Sequence, residues 1–355
     1  MIQSRKKQIQ QIIGLKRLDG LLVTNITNIR YLTGFTGSSG FVIITRNRGI
    51  FFTDFRYREQ SEKEVKGFEI GIEKGKRIRL IRSFVKKAGI KKLGFEKTIS
   101  YEFYELLKKI SVQLLPQKHI IEDMRKIKDE EEIENIKKAV KRAEEAFLKI
   151  KPRIRVGVKE REIALRLEEQ LKRVGCKDIP FDTIVASGKN SSMPHARPSE
   201  KKIEKGDFVI IDWGGEYNGY YSDMTRTFLM DCVDLDKKIE IYNTVNYARQ
   251  RAIKSIKEGL KTQEIDSIVR NIIKKAGYGE FFGHGTGHGV GLDVHEYPHV
   301  SWNKGEKIRN NMVFTIEPGI YIPELGGVRI EDMILVRNGK AELLTDLSRE
   351  LEIIK

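Results

Sequence analysis

In the second half of the chain, acids stand inside apolar runs of strand character, where an unpaired carboxylate is expensive to bury. Asp212 ends FVIID, and Asp223 lies eleven residues later within YYSDMTRTF, with GGEYNG between them as a turn. Glu317 in VFTIEPG and Glu331 in GVRIED repeat the pattern across IPELGG. Facing strands of a hairpin bring side chains on one face within a few Å, so two pairs of carboxylates are expected to converge. Each acid alone has an ordinary reading: Asp212 as a turn cap, Asp223 paired with Arg226, Glu331 paired with Arg329. Taken together, acids inside two apolar hairpins require a positive partner.

The histidines indicate what that partner is. The chain has six, and His284, His288, His295 and His299 crowd into GHGTGHGVGLDVHEYPH. Gly283, Gly285, Gly287, Gly289 and Gly291 alternate with them; they remove bulk and are expected to let the backbone take unusual conformations around the imidazoles. Four carboxylates and one imidazole form a hard, oxygen-rich donor set that suits manganese, cobalt or zinc. The acids carry too much charge for one ion, whereas two divalent ions would balance them. Such ion pairs sit ~3.5–4 Å apart and can hold both a hydroxide nucleophile and a polarised carbonyl, which points to metal-assisted hydrolysis.

Elsewhere the pattern is that of an ordinary folded chain in two parts. Length of 355 residues exceeds one compact core. Short runs at Leu21–Val23, Phe41–Ile44, Ile50–Phe52 and Leu93–Phe95 alternate with amphipathic stretches, giving an α/β domain expected over residues 1–122. Within it, GFTGSSG lacks the spacing of a phosphate loop, and its glycines read as backbone devices. A long helix over Met124–Lys151, with Ile133, Ile136, Val140, Ala143, Phe147 and Ile150 on one face, opens the second domain, 123–355. Helices followed by a carboxylate-bearing strand pair occur twice there, as an internal pseudo-repeat would.

Net charge of +16 raises the question of nucleic acid. Lysines and arginines, however, share helix faces with glutamates, as Lys137, Lys138, Lys141 and Arg142 do with Glu134, Glu144 and Glu145, so a solvated, ion-paired surface is expected and no nucleic-acid partner. Cys176 and Cys232 lack the spacing of a zinc knuckle or redox pair and read as reduced thiols. The N-terminus has no signal-peptide core and no run approaches the ~18 apolar residues of a membrane span, so a cytoplasmic location is expected and no membrane partner.

With those residues assembled, the chain resembles the Xaa-Pro peptidases, the aminopeptidase P and prolidase group of the pita-bread metallopeptidases. GFTGSSG and TDFRY resemble that group's N-terminal domain. FDTIVASGKNSSMPHARPS, VIIDWGGEYNGYYSDMTRT, GHGTGHGVGLDVHE, VFTIEPGIYIP and GGVRIEDM resemble its catalytic motifs in order. The resemblance implies an α/β N-terminal domain joined to an α+β pita-bread (creatinase/aminopeptidase-like) catalytic domain. It implies two divalent ions, manganese ahead of cobalt or zinc, on Asp212, Asp223, His288, Glu317 and Glu331, with Asp223 and Glu331 bridging. A hydroxide shared by the two ions would attack the amide before proline, and Glu317 would relay a proton.

The resemblance further gives His195 and His295 contacts to the substrate and transition state, places His284 in the same pocket, and has Arg329 orient the bridging acids. It also implies a homodimer. One position departs from many archaeal prolidases. They carry an arginine after HExP that is thought to hold a dipeptide's carboxylate, and this chain has His299. A neutral imidazole is a poorer clamp, which tilts the expectation from a strict Xaa-Pro dipeptidase to an aminopeptidase accepting longer peptides with proline second. Methionine aminopeptidase lacks the N-terminal domain, and creatinase lacks the ligands. The five intact ligands argue against a non-enzymatic pita-bread module that would bind a protein or nucleic acid.

Overall fold

The computed structural model describes residues 2–73 and 75–355. They form two units, one ending at Arg125 and one spanning Lys126–Lys355.

The N-terminal unit is a mixed sheet flanked by helices. Its strands are β1 (Gly20–Val23), β2 (Phe41–Thr45), β3 (Gly49–Thr53), β4 (Glu69–Ile72), β5 (Lys92–Glu96) and β6 (Gln113–Gln117), in the order β4-β3-β2-β1-β5-β6. Strand β2 runs antiparallel to β1 and β3; the pairs β1/β5, β3/β4 and β5/β6 are parallel. Helices α1 (Ile2–Leu15), α2 (Ile26–Thr33), α3 (Arg58–Glu64), α4 (Arg77–Lys87), α5 (Tyr101–Leu107) and α6 (Ile120–Arg125) connect them. Leu22, Ile43, Phe84, Leu93 and Phe95 share one core. GFTGSSG behaves as a backbone device: Gly34 closes α2 at φ +83°, and a Cβ on Gly37 would stand 2.3 Å from the Phe35 ring.

The predicted single helix over Met124–Lys151 is divided. Helix α6 stops at Arg125, and α7 (Glu130–Ile150) begins at Asp129, whose carboxylate accepts from the Glu132 N–H while Glu132 reaches back to the Asp129 N–H. That capping box was legible as D-x-x-E and fixes the start of α7. Downstream the periodicity holds, since Ile133, Ile136, Val140, Ala143, Phe147 and Ile150 are all buried. Phe147 stacks on Trp213 at 4.3 Å, and the Trp213 indole donates to Ala143 O at 3.0 Å.

The second unit builds its two larger sheets from a repeated order. After α7 and α8 (Glu160–Arg173) come β7 (Ile184–Ser187), β8 (Phe208–Trp213), the short pair β9 (Glu216–Tyr217) and β10 (Tyr220–Tyr221), and β11 (Met224–Met230). After α9 (Asp236–Ser255) and α10 (Thr262–Lys275) come β12 (Gly287–Gly289), β13 (Glu296–Val300), β14 (Val313–Ile316), the hairpin β15 (Gly319–Ile322) and β16 (Gly326–Arg329), then β17 (Asp332–Arg337) and β18 (Lys340–Leu343). The first sheet runs β19-β11-β8-β7, where β19 (Ile353–Ile354) joins β11 in parallel; the second runs β13-β12-β14-β17-β18. Tyr242, Val245, Phe314, Ile316, Ile330 and Ile334 pack into one core that α9 covers.

Ion pairs such as Lys149 with Glu145 and Arg173 with Glu169 line the exposed helix faces. Cys176 and Cys232 are free thiols. Among the described residues, no helix is long and apolar enough to cross a membrane.

Candidate active site

The acids converge, but only one of them sits within a paired strand. Asp212 is opposite Thr225 in the β8/β11 ladder, whereas Asp223 precedes β11, Glu317 follows β14 and Glu331 precedes β17. Ile316 pairs with Asp332, so Glu317 and Glu331 leave the ladder together at its end. Strand ends free the carboxylates from the alternation of a pleated strand and let them turn toward one point. The expectation of acids inside two hairpins is corrected accordingly: the sheets bring their ends together, and the acids occupy those ends.

His288 lies in β12, beside β14. Its Nδ1 donates to Gly289 O at 3.1 Å, which leaves the Nε2 lone pair facing Asp223 Oδ2 and Glu317 Oε1, each 3.5 Å away. The flanking glycines remove bulk as expected, but without unusual backbone conformations. None of Gly283, Gly285, Gly287, Gly289 and Gly291 has positive φ. Gly287 and Gly289 are required by close approach, because a Cβ there would stand 1.9 Å from Thr315 O and 2.2 Å from Tyr297 O respectively. Without a side chain at either position, the strand carrying His288 can pack tightly against both neighbours.

A lone pair facing two carboxylate oxygens is repulsive unless a cation or shared protons stand between them. Burial, reinforced by Glu331, Asp212 and Glu317, pushes the Asp223 pKa well above the usual carboxylate range. Burial with Glu317 and Asp212 does the same to Glu331, and burial raises Glu317. Burial also lowers the His288 pKa, so its ring is held neutral. Ligand atoms of Asp223, His288 and Glu331 lie within 4.8 Å of one another, and buried Asp212 Oδ1 has no hydrogen-bond partner. This donor set fits divalent cations.

The acids also have a fixed surround. Arg329 Nη2 donates to Asp212 Oδ2 at 2.6 Å, Nη1 to the Tyr321 hydroxyl at 2.9 Å, and Nε to Thr225 Oγ1 at 3.1 Å. Thr225 passes its own proton to Glu331 Oε2 at 2.8 Å. Arg329 therefore grips Asp212 directly and reaches Glu331 only through Thr225, where the sequence had it orienting the bridging acids. Burial works against its charge, but Tyr321 and Asp212 outweigh that and hold its pKa well above the usual value. Nor does Arg226 meet Asp223: it pairs with Asp332 at 2.9 Å. Burial likewise opposes ionisation of Asp332, yet Arg226, Arg249 and Arg349 bring its pKa down to about 2.

All five proposed ligands line a cavity of about 680 Å³, together with His195, His284, His295, His299, Arg197, Lys304 and Arg329. His284 has both ring nitrogens engaged, Nδ1 by Gly285 O at 2.7 Å and Nε2 by the Tyr321 hydroxyl at 2.9 Å. The His295 ring sits 4.3 Å from that of His288, and partial desolvation, with the His288 imidazole beside it, lowers its pKa to about 4 although part of the residue meets solvent. His299 is half-buried against Tyr297 and burial lowers its pKa too.

Residues 134–338 match the family described as Metallopeptidase family M24, and residues 5–127 match the Creatinase/Prolidase N-terminal domain. The chain belongs to metallopeptidase family M24. Within it, this M24 enzyme is an Xaa-Pro peptidase of the pita-bread fold. It is similar to an Xaa-Pro dipeptidase from Bacillus anthracis, with 42% identity, complete coverage of both chains and a TM-score of 0.97. An Xaa-Pro dipeptidase from Pyrococcus horikoshii is 40% identical over 99% of each chain. An X-Pro aminopeptidase from Thermotoga maritima is 36% identical, covering 98% of this chain and 99% of its own, with a TM-score of 0.89.

Several residues of the M24 site escaped the sequence reading. Tyr321 is one side chain in the apolar run GIYI, and nothing local ties it to Arg329 or His284. Lys128 pairs with Glu296, the neighbour of His295, across 168 positions of sequence. Arg197 was visible inside the quoted MPHARPS run and Lys304 shortly after HEYPH; charge close to the quoted histidines was the signal available.

Proposed function

We propose that the chain hydrolyses Xaa-Pro dipeptides, using a two-ion centre on Asp212, Asp223, His288, Glu317 and Glu331. One observation carries the dipeptide reading: the cavity that holds the acids also presents Arg197 and Lys304, and among the described residues neither side chain forms an ion pair or hydrogen bond. With four carboxylates balanced by two divalent ions, these two cations leave the cavity positive. That charge suits a free carboxylate one residue beyond the scissile amide, as a dipeptide offers. The relatives named Xaa-Pro dipeptidase support this reading better than the aminopeptidase favoured on sequence.

Bound divalent ions, manganese first to be tested, would supply Lewis acidity and a nucleophile at neutral pH. The chain's own groups do the rest. Glu317 is held only loosely, Thr315 Oγ1 donating to it at 3.5 Å, which leaves its carboxylate able to accept and return a proton. His295, held neutral, would donate one N–H to the scissile carbonyl oxygen, and His195, which lines the same cavity, would contact the peptide. His284, braced by Tyr321, and Arg329, braced against Asp212, would shape the floor beneath the substrate. The imide nitrogen before proline carries no hydrogen, so a pocket with no acceptor for it can prefer that bond.

Initial rates with manganese on an Xaa-Pro dipeptide, its C-terminal amide and an Xaa-Pro-Yaa tripeptide test the reading. The dipeptide should be cleaved fastest. Blocking its carboxylate, or making the double substitution Arg197→Ala with Lys304→Ala, should raise KM about tenfold or more, as loss of a charged hydrogen bond implies. His299, a neutral group where a clamp was expected, favours the second reading: equal or better turnover of the tripeptide would make the enzyme an aminopeptidase. Cleavage of none of the three would remove both readings.

A further inference from the structure

Behind the acids lies a second charged assembly that the hydrolysis does not use. Asp332 directly follows Glu331 and is fully buried. Its carboxylate accepts from Arg226 Nη2 at 2.9 Å, Arg349 Nε at 3.2 Å and Thr345 Oγ1 at 2.7 Å, and from Arg249 Nη1. One guanidinium would neutralise Asp332; three leave excess positive charge in a buried place, which folding alone disfavours.

Where the other donors go explains the arrangement. Arg226 Nη1 donates to Glu331 O at 2.6 Å and Thr225 O at 2.8 Å. Its Nε and Nη2 reach Ser348 O at 2.9 Å and Leu347 O at 3.0 Å. Arg249 is itself held by Asn246 Oδ1 at 2.8 Å, and Asn246 Nδ2 donates to Arg349 O at 3.1 Å. The Glu331 N–H meets Thr225 O at 3.1 Å. Both sides of the Glu331 backbone and one carboxylate oxygen are thus fixed, and the segment 345–349 supplies much of the frame.

We propose that Arg349, acting through Asp332 and Arg226, is a positioning residue for Glu331, so that the C-terminal segment sets how tightly the centre holds divalent ions. This rests on the reading that the five residues bind such ions. Groups behind a ligand commonly change metal affinity about 10–100-fold, because they fix its orientation before the ion arrives.

Arg349→Gln separates positioning from simple charge. Removing a positive charge near a cation site would, by Coulomb's law alone, tighten binding; loss of positioning weakens it. Isothermal titration of the full chain with manganese should show at least about tenfold weaker binding for Arg349→Gln, with Arg349→Lys between the two. Thermal unfolding of the metal-free proteins, run alongside, tells a weakened fold from a displaced ligand. Unchanged or tighter binding by Arg349→Gln, whatever happens to the metal-free midpoint, overturns the proposal. Failure of the unaltered protein to bind manganese overturns the metal-centre reading itself, and this inference with it.

Discussion

Replacing Arg329 with leucine should cost far more stability without divalent ions than with them. The guanidinium side chain is 4% exposed, and its strongest contact is the 2.6 Å bond to Asp212 Oδ2. Removing one member of a buried ion pair costs about 3–5 kcal/mol, since the other charge stays buried. At about 2–4 °C per kcal/mol for a domain of this size, the metal-free midpoint should fall by roughly 6–20 °C. An ion on Asp212 changes that arithmetic in two ways. It supplies the positive charge the variant lacks, and it escapes repulsion from a neighbouring guanidinium. The metal-loaded loss should therefore be smaller by at least about 1.4 kcal/mol, and by linkage manganese should bind Arg329→Leu at least about tenfold more tightly. Scanning calorimetry with and without manganese, with a calorimetric titration of each protein, measures both quantities. Equal losses in the two states, or weaker manganese binding, would refute the view that Asp212 is shared between a guanidinium and a metal.

Two further outcomes follow from buried charge. Asp223, Glu317 and Glu331 have raised pKa values in the metal-free protein. Such groups give stability that is complete below their unfolded pKa and lost as pH rises through the folded one. The buried histidines run the other way, but their contribution is complete above the unfolded imidazole value of about 6.5. Urea unfolding of chelator-treated protein should thus show stability falling as pH rises above about 7, where the histidine contribution is complete, with a flatter profile when manganese is bound; a rising metal-free profile there would contradict this. Lys128→Met should destabilise the protein by about 3 kcal/mol and lower kcat, because Lys128 neutralises buried Glu296 beside His295; unchanged kcat would show that the pair does not hold that histidine.

What the sequence carried well was everything decided by near neighbours. The apolar face of α7 follows from steps of three and four. The candidate ligands stand out because acids at the ends of apolar runs are costly without a positive partner. The ordinary pairings open to single acids fail for reasons that distant neighbours decide. Asp223 and Arg226 are three apart, but Asp223 stands ahead of β11 and Arg226, inside the strand, meets Asp332. Arg329 and Glu331 are two apart, but the chain leaves β16 before entering β17, so they do not share a strand face. The partner Arg329 does take lies 117 residues away. For the glycines around His288 the removal of bulk holds and the unusual backbone does not, because the need for them comes from Thr315 O and Tyr297 O on neighbouring strands, which no local pattern displays.

Where Arg226 and Arg329 do pair bears on why the centre stays open to metal. A guanidinium placed among Asp223, Glu317 and His288 would neutralise the acids and end their demand for a cation. Instead the arginines stand around the rim. Arg329 takes one oxygen of Asp212 and leaves Oδ1 without a partner. Arg226 bonds the Glu331 carbonyl, not its carboxylate, and spends its remaining charge on Asp332. Thr225, a neutral donor, takes one Glu331 oxygen. A planar guanidinium cannot reach several converging oxygens and an imidazole lone pair at once, whereas a compact divalent ion can. Holding Arg226 to backbone carbonyls and to Asp332, and Arg329 to a single Asp212 oxygen, therefore orders the acids without satisfying them, and leaves their charge to a divalent ion.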